Sequence, residues 1–268
     1  GVGSISSGGV YDVPTSPGTA VIKVTDSTGT VDQTTVTVLD PADWAPAITV
    51  DTAGGQYASL ALTDADEWPY IAYRVGTATT TLKLAKWTGS SFGVPETVDS
   101  AGDYPGQYAS LALDADDKPR IAHYYSKSNH EGLGYAEWNS GWTKIKVPGT
   151  AIDPIGQYTS LAVDRDGCVH ICYCDVNNHD LKYATRCGGS WTIEVVDATG
   201  SVGKYASLEL DLWDTPHVSY YDATNDRLMY AHKLGGTWIK EVVDASGSQI
   251  GVGTSIDLDS QGRPHISY

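Results

Sequence analysis

A motif that returns five times constrains this chain more than any other feature of its sequence. The heptapeptide QYASLAL occupies residues 56–62 and returns at 107–113, and related segments occupy 157–163, 204–210 and 253–258. Each copy carries a serine at the same place: Ser59, Ser110, Ser160, Ser207 and Ser255. A fixed period of about fifty residues predicts an array of identical supersecondary units.

Each repeat contains four short strand patterns in one order. Examples are SLALD at 110–114, PHVSY at 216–220, LKYA at 181–184 and WTIEVVD at 191–197. Alternating apolar and polar residues between Gly- and Asp-containing turns predict antiparallel strands. The composition agrees, because 17 Tyr, 8 Trp and 29 Gly accompany a single Met and a single Phe. We therefore predict an all-β fold, a β-propeller of four-stranded antiparallel blades.

The ends of the repeat region bear on ring closure. Residues 44–51 match a fourth strand, whereas the chain stops after the second strand of the fifth repeat. A fourth strand supplied from the N-terminal side could complete the last blade and remove an exposed sheet edge. The pattern predicts five blades if the chain is complete and more if it is a fragment, and the ending in mid-pattern favours a fragment.

The first 39 residues differ from the repeats. Their segments GVYDVP at 9–14, GTAVIKVTD at 18–26 and TTVTV at 34–38 resemble the C-terminal half of bacterial immunoglobulin-like domains. The resemblance implies a partial β-sandwich at 1–39, with a linker at 40–43 and the propeller at 44–268. The repeats of that propeller begin near residues 55, 106, 156, 203 and 251.

The repeats themselves resemble the SLALDxDGxPHISYYD-type units of large secreted bacterial and archaeal surface proteins. The resemblance covers residues 44–268 and implies a propeller in an extracellular or cell-surface setting. It implies little about activity, because propellers include lectins, lyases, hydrolases and scaffolds.

Charge and hydropathy exclude two classes of partner. The formal net charge of −16 would repel a phosphate backbone, so we expect no nucleic-acid partner. The sequence has no apolar run long enough for a membrane span, so we expect no direct membrane insertion.

The four cysteines lie close together in the third repeat. If its second and third strands pair across residues 175–180, Cys168 stands opposite Cys187, and we predict a disulfide between them. That bond would fit an oxidising compartment. A zinc or iron site is the alternative, although the spacing is not the usual CxxC arrangement. Neither interpretation explains Cys172 and Cys174.

Residues that recur in the ring are expected to be structural. His170, His217 and His265 share one strand position, so we expect hydrogen bonding rather than catalysis from them. Aspartates in the first turn of several repeats superficially resemble calcium loops but lack a full ligand series. We expect no cofactor and leave structural calcium open at Asp64, Asp66, Asp114, Asp116, Asp164 and Asp166.

Binding residues are expected where loops leave the repeat consensus. Amides, carboxylates and imidazoles suited to sugar hydroxyls or a cation occur in the loops between second and third strands. These candidates are Asn129, His130, Glu131, Asn177, Asn178, His179, Asp180, Asn225 and Asp226. On the opposite face, Trp68 and Trp213 could stack on a pyranose ring. Solvated turns and ordinary packing explain the same residues as well.

The sequence lacks a nucleophile elbow, a phosphate loop and an HExxH motif. We therefore expect a non-catalytic surface module that serves as a structural, adhesive or glycan-binding element. The alternative is a carbohydrate-active enzyme of the sialidase or polysaccharide-lyase kind. Other copies, surface proteins and glycans are the expected partners, and the open edges predict assembly into filaments by strand exchange.

Overall fold

The computed structural model describes residues 48–77, 79–100, 104–127, 130–148 and 155–268, together with the backbone of four N-terminal strands. The chain divides into two compact units, Gly1–Thr49 and Val50–Tyr268. In the first unit β1 (Ser4–Ile5) pairs with β2 (Tyr11–Asp12), and β3 (Gly18–Thr25) pairs with β4 (Val31–Val38), both antiparallel. The immunoglobulin-like resemblance and the domain boundaries stay predictions.

The second unit consists of consecutive antiparallel sheets, one for each repeat. The first sheet contains β5 (Gln56–Leu62), β6 (Pro69–Val75), β7 (Thr81–Lys86) and β8 (Glu96–Asp99). The second contains β9 (Gln107–Leu113), β10 (Pro119–Lys127), β11 (His130–Trp138) and β12 (Trp142–Lys146). The third contains β13 (Ile155–Val163), β14 (Val169–Asp175), β15 (Asp180–Cys187) and β16 (Ser190–Asp197). The fourth contains β17 (Val202–Leu210), β18 (Pro216–Asp222), β19 (Arg227–Leu234) and β20 (Thr237–Asp244). A two-stranded sheet of β21 (Ser255–Leu258) and β22 (Pro264–Ser267) follows.

The predicted all-β propeller is thereby confirmed, with the strands of each blade in sequence order. We call the sheets blades 1 to 5, and β5, β9, β13, β17 and β21 the inner strands. The described part of the chain has no helix that is long and apolar enough to cross a membrane.

The repeated serine joins one inner strand to the next. Ser59 Oγ accepts a hydrogen bond of 2.9 Å from the backbone N–H of Leu111. The same bond recurs in the next three repeats, from Leu161 to Ser110, from Leu208 to Ser160 and from Ile256 to Ser207. One side chain in each repeat thus satisfies a backbone donor of the following blade, which explains why the motif keeps a hydroxyl there.

The hydrophobic core lies between neighbouring blades. Leu111, Leu161, Leu208 and Ile256 are buried at the residue after each serine. One core cluster, for example, combines Leu133 of blade 2 with Ile171 of blade 3. Fully burying a leucine contributes about 1.5–3 kcal/mol, so each blade needs a neighbour on both faces.

Two blade faces are not covered in this way. Leu60 of blade 1 is 57% exposed, whereas its counterpart Leu111 is 6% exposed. Val243 of blade 4 is 47% exposed, whereas its counterpart Val196 is 5% exposed. The described array therefore presents one open face at blade 1 and one at blades 4 and 5.

The segment at 44–51 is predicted to be a fourth strand, but its described part is not a strand. Residues 44–47 lie outside the described residues, and residues 48–51 form no strand. Asp51 nevertheless accepts hydrogen bonds from Tyr73 Oη at 3.0 Å and Lys83 Nζ at 2.8 Å. Asp197, at the end of a true fourth strand, binds a tyrosine and a lysine of the next blade in the same way.

Candidate functional site

Four tyrosines of blades 1 to 4, here called the tyrosine ring, follow the inner strands, each in contact with the next. Tyr57, Tyr108, Tyr158 and Tyr205 are the second residues of the QYASLAL-type motifs, and their successive ring centroids lie 5.1, 4.7 and 4.8 Å apart. All four have a positive φ, between 50° and 54°. A bulky residue in the left-handed region is strained by about 1–3 kcal/mol, and such strain is concentrated at functional sites. Gly253 holds the equivalent place in the fifth repeat with φ of 75°.

The tyrosine ring lines a cavity of 270 Å³ that is open to solvent. We call this cavity the tyrosine mouth. Ala58, Ala109, Thr159, Ala206, Gly253 and Thr254 complete its wall. Burial raises the pKa of Tyr108 and Tyr158, so their phenols are neutral hydrogen-bonding groups at physiological pH.

Two further tyrosines stand beside the ring and are held by carboxylates. Tyr124 lies 6.4 Å from Tyr108, and its hydroxyl donates to Glu131 Oε2 at 2.6 Å. Tyr221 lies 6.4 Å from Tyr205 and donates to Asp226. Burial and Glu131 raise the pKa of Tyr124 to about 12, and the bond to Asp226 does the same for Tyr221. The mouth thus combines aromatic faces with phenols and carboxylates.

A cation lies at the same mouth. The guanidinium of Arg74 is 5.8 Å from the ring centroid of Tyr57. Arg74 holds the strand position that Tyr124 and Tyr221 hold in blades 2 and 4, as the strand registers show. A buried positive charge therefore lies beside Tyr57, and negative charges lie behind Tyr124 and Tyr221.

The loop residues predicted as ligands have different roles. Glu131 and Asp226 reach the tyrosine mouth through the tyrosines that they hold. Asn178 and Asn225 instead donate to Asp175 and Asp222 of their own turns at 2.8 Å. Asn177 and His179 are exposed in the same loop, and burial together with Asp175 raises the pKa of Asp180. Asn129 and the side chain of His130 lie outside the described residues.

The turn aspartates at the opposite mouth bind their own backbone. Asp114 Oδ1 accepts from the N–H groups of Asp116 and Lys118, and Asp164 Oδ1 accepts from those of Asp166 and Cys168. Asp64 and Asp66 occupy the corresponding turn of blade 1. A hairpin turn stabilised by aspartate accounts for Asp114 and Asp164. In blade 1 Thr63 has that role, because its Oγ1 accepts from the N–H of Trp68. Within the described ranges, the one group of three close metal-ligand types is Asp164, Cys168 and Cys187.

This second mouth has a cavity of 360 Å³ and contains residues that depart from the repeat. Glu209 stands where three repeats have alanine, and burial together with Asp257 raises its pKa. Trp213 is 73% exposed beside the exposed Leu212. Trp68 is partly covered, since Gly89 lies against its ring. Of the two predicted stacking residues, Trp213 offers the larger free surface.

Two of the repeated histidines, His170 and His217, form hydrogen bonds between strands, whereas His265 is exposed. His170 lies between Asp164, at 3.0 Å from Nε2, and the hydroxyl of Tyr183. His217 repeats the arrangement with Asp211 at 3.4 Å and Tyr230 at 2.5 Å. Both imidazoles are buried between strands. Neither His170 nor His217 is among the residues that line the two mouth cavities, although their partners Asp164 and Asp211 line the second.

The cysteine prediction is confirmed for one pair. Cys168 and Cys187 form a disulfide, in the register that places Val169 opposite Arg186. Cys172 and Cys174 are free and buried. Burial raises the pKa of both thiols to about 12, so neither is a thiolate at neutral pH. They act as small apolar core residues.

The fold and the tyrosine mouth place the chain in the class of β-propellers. No family model and no curated protein matches its sequence. A protein of unknown function from Dyadobacter fermentans matches with a TM-score of 0.61 and 12% identity over 82% of this chain and 76% of that chain. The Aleuria aurantia lectin, in complex with α-methyl-L-fucoside, matches with a TM-score of 0.57 and 16% identity over 93% and 87%.

A third similar structure is the Hadza microbial sialidase Hz136. It matches with a TM-score of 0.52 and 14% identity over 88% of this chain and 54% of that chain. At such low identities these similarities show the fold alone.

The ring tyrosines were not among the binding residues predicted from the sequence. They stand in the motif that defines the repeat, and a repeated residue was interpreted as structural. The available signal was a bulky tyrosine where the fifth repeat has glycine, because glycine marks a backbone that requires positive φ.

Proposed function

We propose that this protein is a non-catalytic extracellular propeller that binds glycans at the tyrosine mouth. The observation that carries the proposal is the ring formed by Tyr57, Tyr108, Tyr158 and Tyr205 around an open cavity. Binding sites for small molecules are concave and largely apolar, with a few placed polar groups. The tyrosine mouth has that composition.

A pyranose ring suits this surface because one of its faces is apolar and its edge carries hydroxyls. The aromatic faces of the tyrosines would pack against the apolar face. The phenols, with Glu131 and Asp226 behind them, would exchange hydrogen bonds with the hydroxyls. Because the same contact recurs at intervals of about 5 Å around the mouth, the ligand class is an oligosaccharide rather than a free monosaccharide.

Two further observations support parts of the proposal. The Aleuria lectin, which has a similar fold, is described in complex with a fucoside, so this type of propeller is compatible with sugar binding. The Cys168–Cys187 disulfide supports an oxidising, extracellular or cell-surface location.

Assembly with other copies is the second part of the proposal. The open face at Leu60 and the open face at Val243 are the two halves of an interface that the chain already forms between its own blades. Ser255, on the last inner strand, is the counterpart of the serines that bind the next blade. We assign a second copy of this chain as the occupant, joined head to tail through these faces.

A glycan array tests the binding proposal. Wild-type protein should bind a set of immobilised oligosaccharides, and Tyr158→Gly should lose at least about tenfold in affinity, as expected when an aromatic anchor is removed. Glycine can adopt the positive φ of residue 158, because Gly253 has a positive φ at the equivalent position of the fifth repeat. Trp213→Ala, at the other mouth, is the matched control and should bind normally.

The same incubations distinguish binding from catalysis. Mass spectrometry of the bound glycans should find them intact. Cleaved products that disappear with Glu209→Gln would contradict a non-catalytic module and favour the hydrolase or lyase alternative. Equal binding by wild type and Tyr158→Gly would contradict the tyrosine mouth as the site.

A further inference from the structure

A small cavity between blades 1 and 2 is separate from both mouths of the channel. Its volume is 130 Å³, and it opens partly to solvent. The charged and aromatic residues that line it are Asp99, His123, Tyr125, Tyr135, Lys144 and Lys146. For comparison, an apolar protein cavity of about 150 Å³ can hold one benzene molecule. The volume is therefore of the order of one six-membered ring.

Other repeats show what normally fills this position. Tyr220 sends its phenol between blades to Asp197, with an Oη to Oδ2 distance of 2.8 Å. Lys240 Nζ binds the same carboxylate at 2.7 Å. The aspartate at the end of one blade therefore binds a tyrosine and a lysine of the next blade. Asp51 with Tyr73, and Asp244 with Tyr268, repeat the pairing of phenol and carboxylate.

Blade 2 keeps the polar pair and replaces the phenol. Asp99 and Lys144 are the counterparts of Asp197 and Lys240, and Lys144 Nζ lies 3.2 Å from Asp99 Oδ1. His123 stands at the tyrosine position, opposite Gly134, whereas Tyr73 stands opposite Lys83. Both side chains of this cross-strand pair are therefore smaller in blade 2 than in blade 1. The cavity lies at that pair.

The imidazole of His123 is packed against backbone groups. The backbone N–H of Gly106 donates to His123 Nδ1 at 3.3 Å. A Cβ at position 134 would stand 2.6 Å from the imidazole Cε1, so a glycine at that position leaves room for the side chain of His123. His123 is 3% exposed, and burial lowers its pKa, which keeps the ring neutral.

We propose that this cavity binds a ligand with a hydroxyl-bearing six-membered ring, whose hydroxyl donates to Asp99 and accepts from Lys144. The ring takes the place that the tyrosine side chain has in blades 1 and 4, against Tyr125 and Tyr135. Phenols and pyranoses share this chemistry, and the experiment separates the two sources. The site shares no residue with the tyrosine mouth, so it does not depend on the proposed function.

The test uses two probes, p-cresol and methyl β-D-glucopyranoside, titrated into the full chain and followed by ¹H–¹⁵N NMR at the amides of Gly106 and Gly134. We expect saturable shifts with at least one probe. Shifts with p-cresol alone identify a phenolic ligand, and shifts with the glucoside identify a sugar ring. Absence of saturable shifts with both probes overturns the proposal.

Two variants control the site. His123→Tyr restores the side chain of the other repeats and should abolish binding by filling the cavity. Asp99→Asn keeps the shape but removes the charged acceptor, and should weaken binding about tenfold, as for the loss of a hydrogen bond to a charged group. Unchanged titrations in His123→Tyr would overturn the proposal. Tyr158→Gly should leave these titrations unchanged, which distinguishes this site from the tyrosine mouth.

Discussion

Ser110 Oγ accepts a hydrogen bond of 2.9 Å from the backbone N–H of Leu161, across the boundary between blades 2 and 3. The bond links residues 51 positions apart in the chain, and its equivalents join every consecutive pair of inner strands in the described array. The hydroxyl ties neighbouring blades together at the channel, next to the leucine that packs between them.

Ser110→Ala should therefore destabilise the propeller. The N–H of Leu161 would lose its acceptor in a mostly buried place, which costs about 1–3 kcal/mol. Urea unfolding at constant pH measures the change in the free energy of unfolding. Ser190→Ala, at the exposed first residue of β16, is the control and should change it by less than about 0.5 kcal/mol. Equal effects of the two substitutions would contradict the inter-blade role of the serine.

Stability should fall as the pH drops through the titration range of unfolded histidine. Burial lowers the pKa of His217 in spite of Asp211, and burial also lowers that of His123. Below pH 6.5 the unfolded chain then binds protons that the folded chain does not, so the free energy of unfolding decreases. Unfolding at pH 7.5 and 5.5 measures the difference, which should be smaller in His217→Gln. A stability that rises toward pH 5.5 would contradict the neutral, buried imidazoles.

Thiol labelling should distinguish the two cysteine pairs. Cys172 and Cys174 are buried with raised pKa values, so the native protein should react with no maleimide. Two labels should appear after unfolding, and four after unfolding with a reductant, as mass spectrometry would count them. Fast labelling of the native chain would show that the thiols are accessible.

Breaking the Cys168–Cys187 disulfide should destabilise blade 3. A bond that closes a loop of 19 residues contributes about 3 kcal/mol through the unfolded state. The double variant Cys168→Ser with Cys187→Ser should show this loss in urea unfolding without reductant, compared with the oxidised wild type. A stability equal to that of the wild type would mean that the disulfide does not constrain the fold.

Head-to-tail association should depend on the open faces. Leu60→Asp places a charge where a neighbouring blade would pack, so sedimentation should show weaker association than in the wild type. Leu234→Asp, at a similarly exposed leucine at the end of β19, is the matched control. A wild type that stays monomeric over a broad concentration range would contradict assembly through these faces.

The propeller fold could be predicted from the sequence because each blade is a local unit. The fifty-residue period defines the blades, and the alternation of residues within each repeat defines their strands. The Cys168–Cys187 pairing followed from the same locality, since the turn at 175–180 sets the register of β14 and β15. Interactions within one hairpin are readable from spacing alone.

Contacts between blades were beyond the reach of the sequence. The tyrosine ring depends on a positive φ that tyrosine seldom adopts, so the direction of Tyr108 could not be inferred from alternation. The cavity at His123 depends on Asp99 of another blade, 24 residues away in the chain. Its signal was a pair of departures from the repeat, a histidine for tyrosine and Gly134 for lysine, which only the strand pairing brings together.

The decisive test of glycan binding at the tyrosine mouth is a crystal structure of the protein with an oligosaccharide selected on the glycan array. We predict sugar density packed on the rings of Tyr108 and Tyr158, with hydroxyls bonded to the phenols or to Glu131 and Asp226. Density confined to the opposite mouth, at Trp213 and Glu209, would contradict the tyrosine mouth as the binding site.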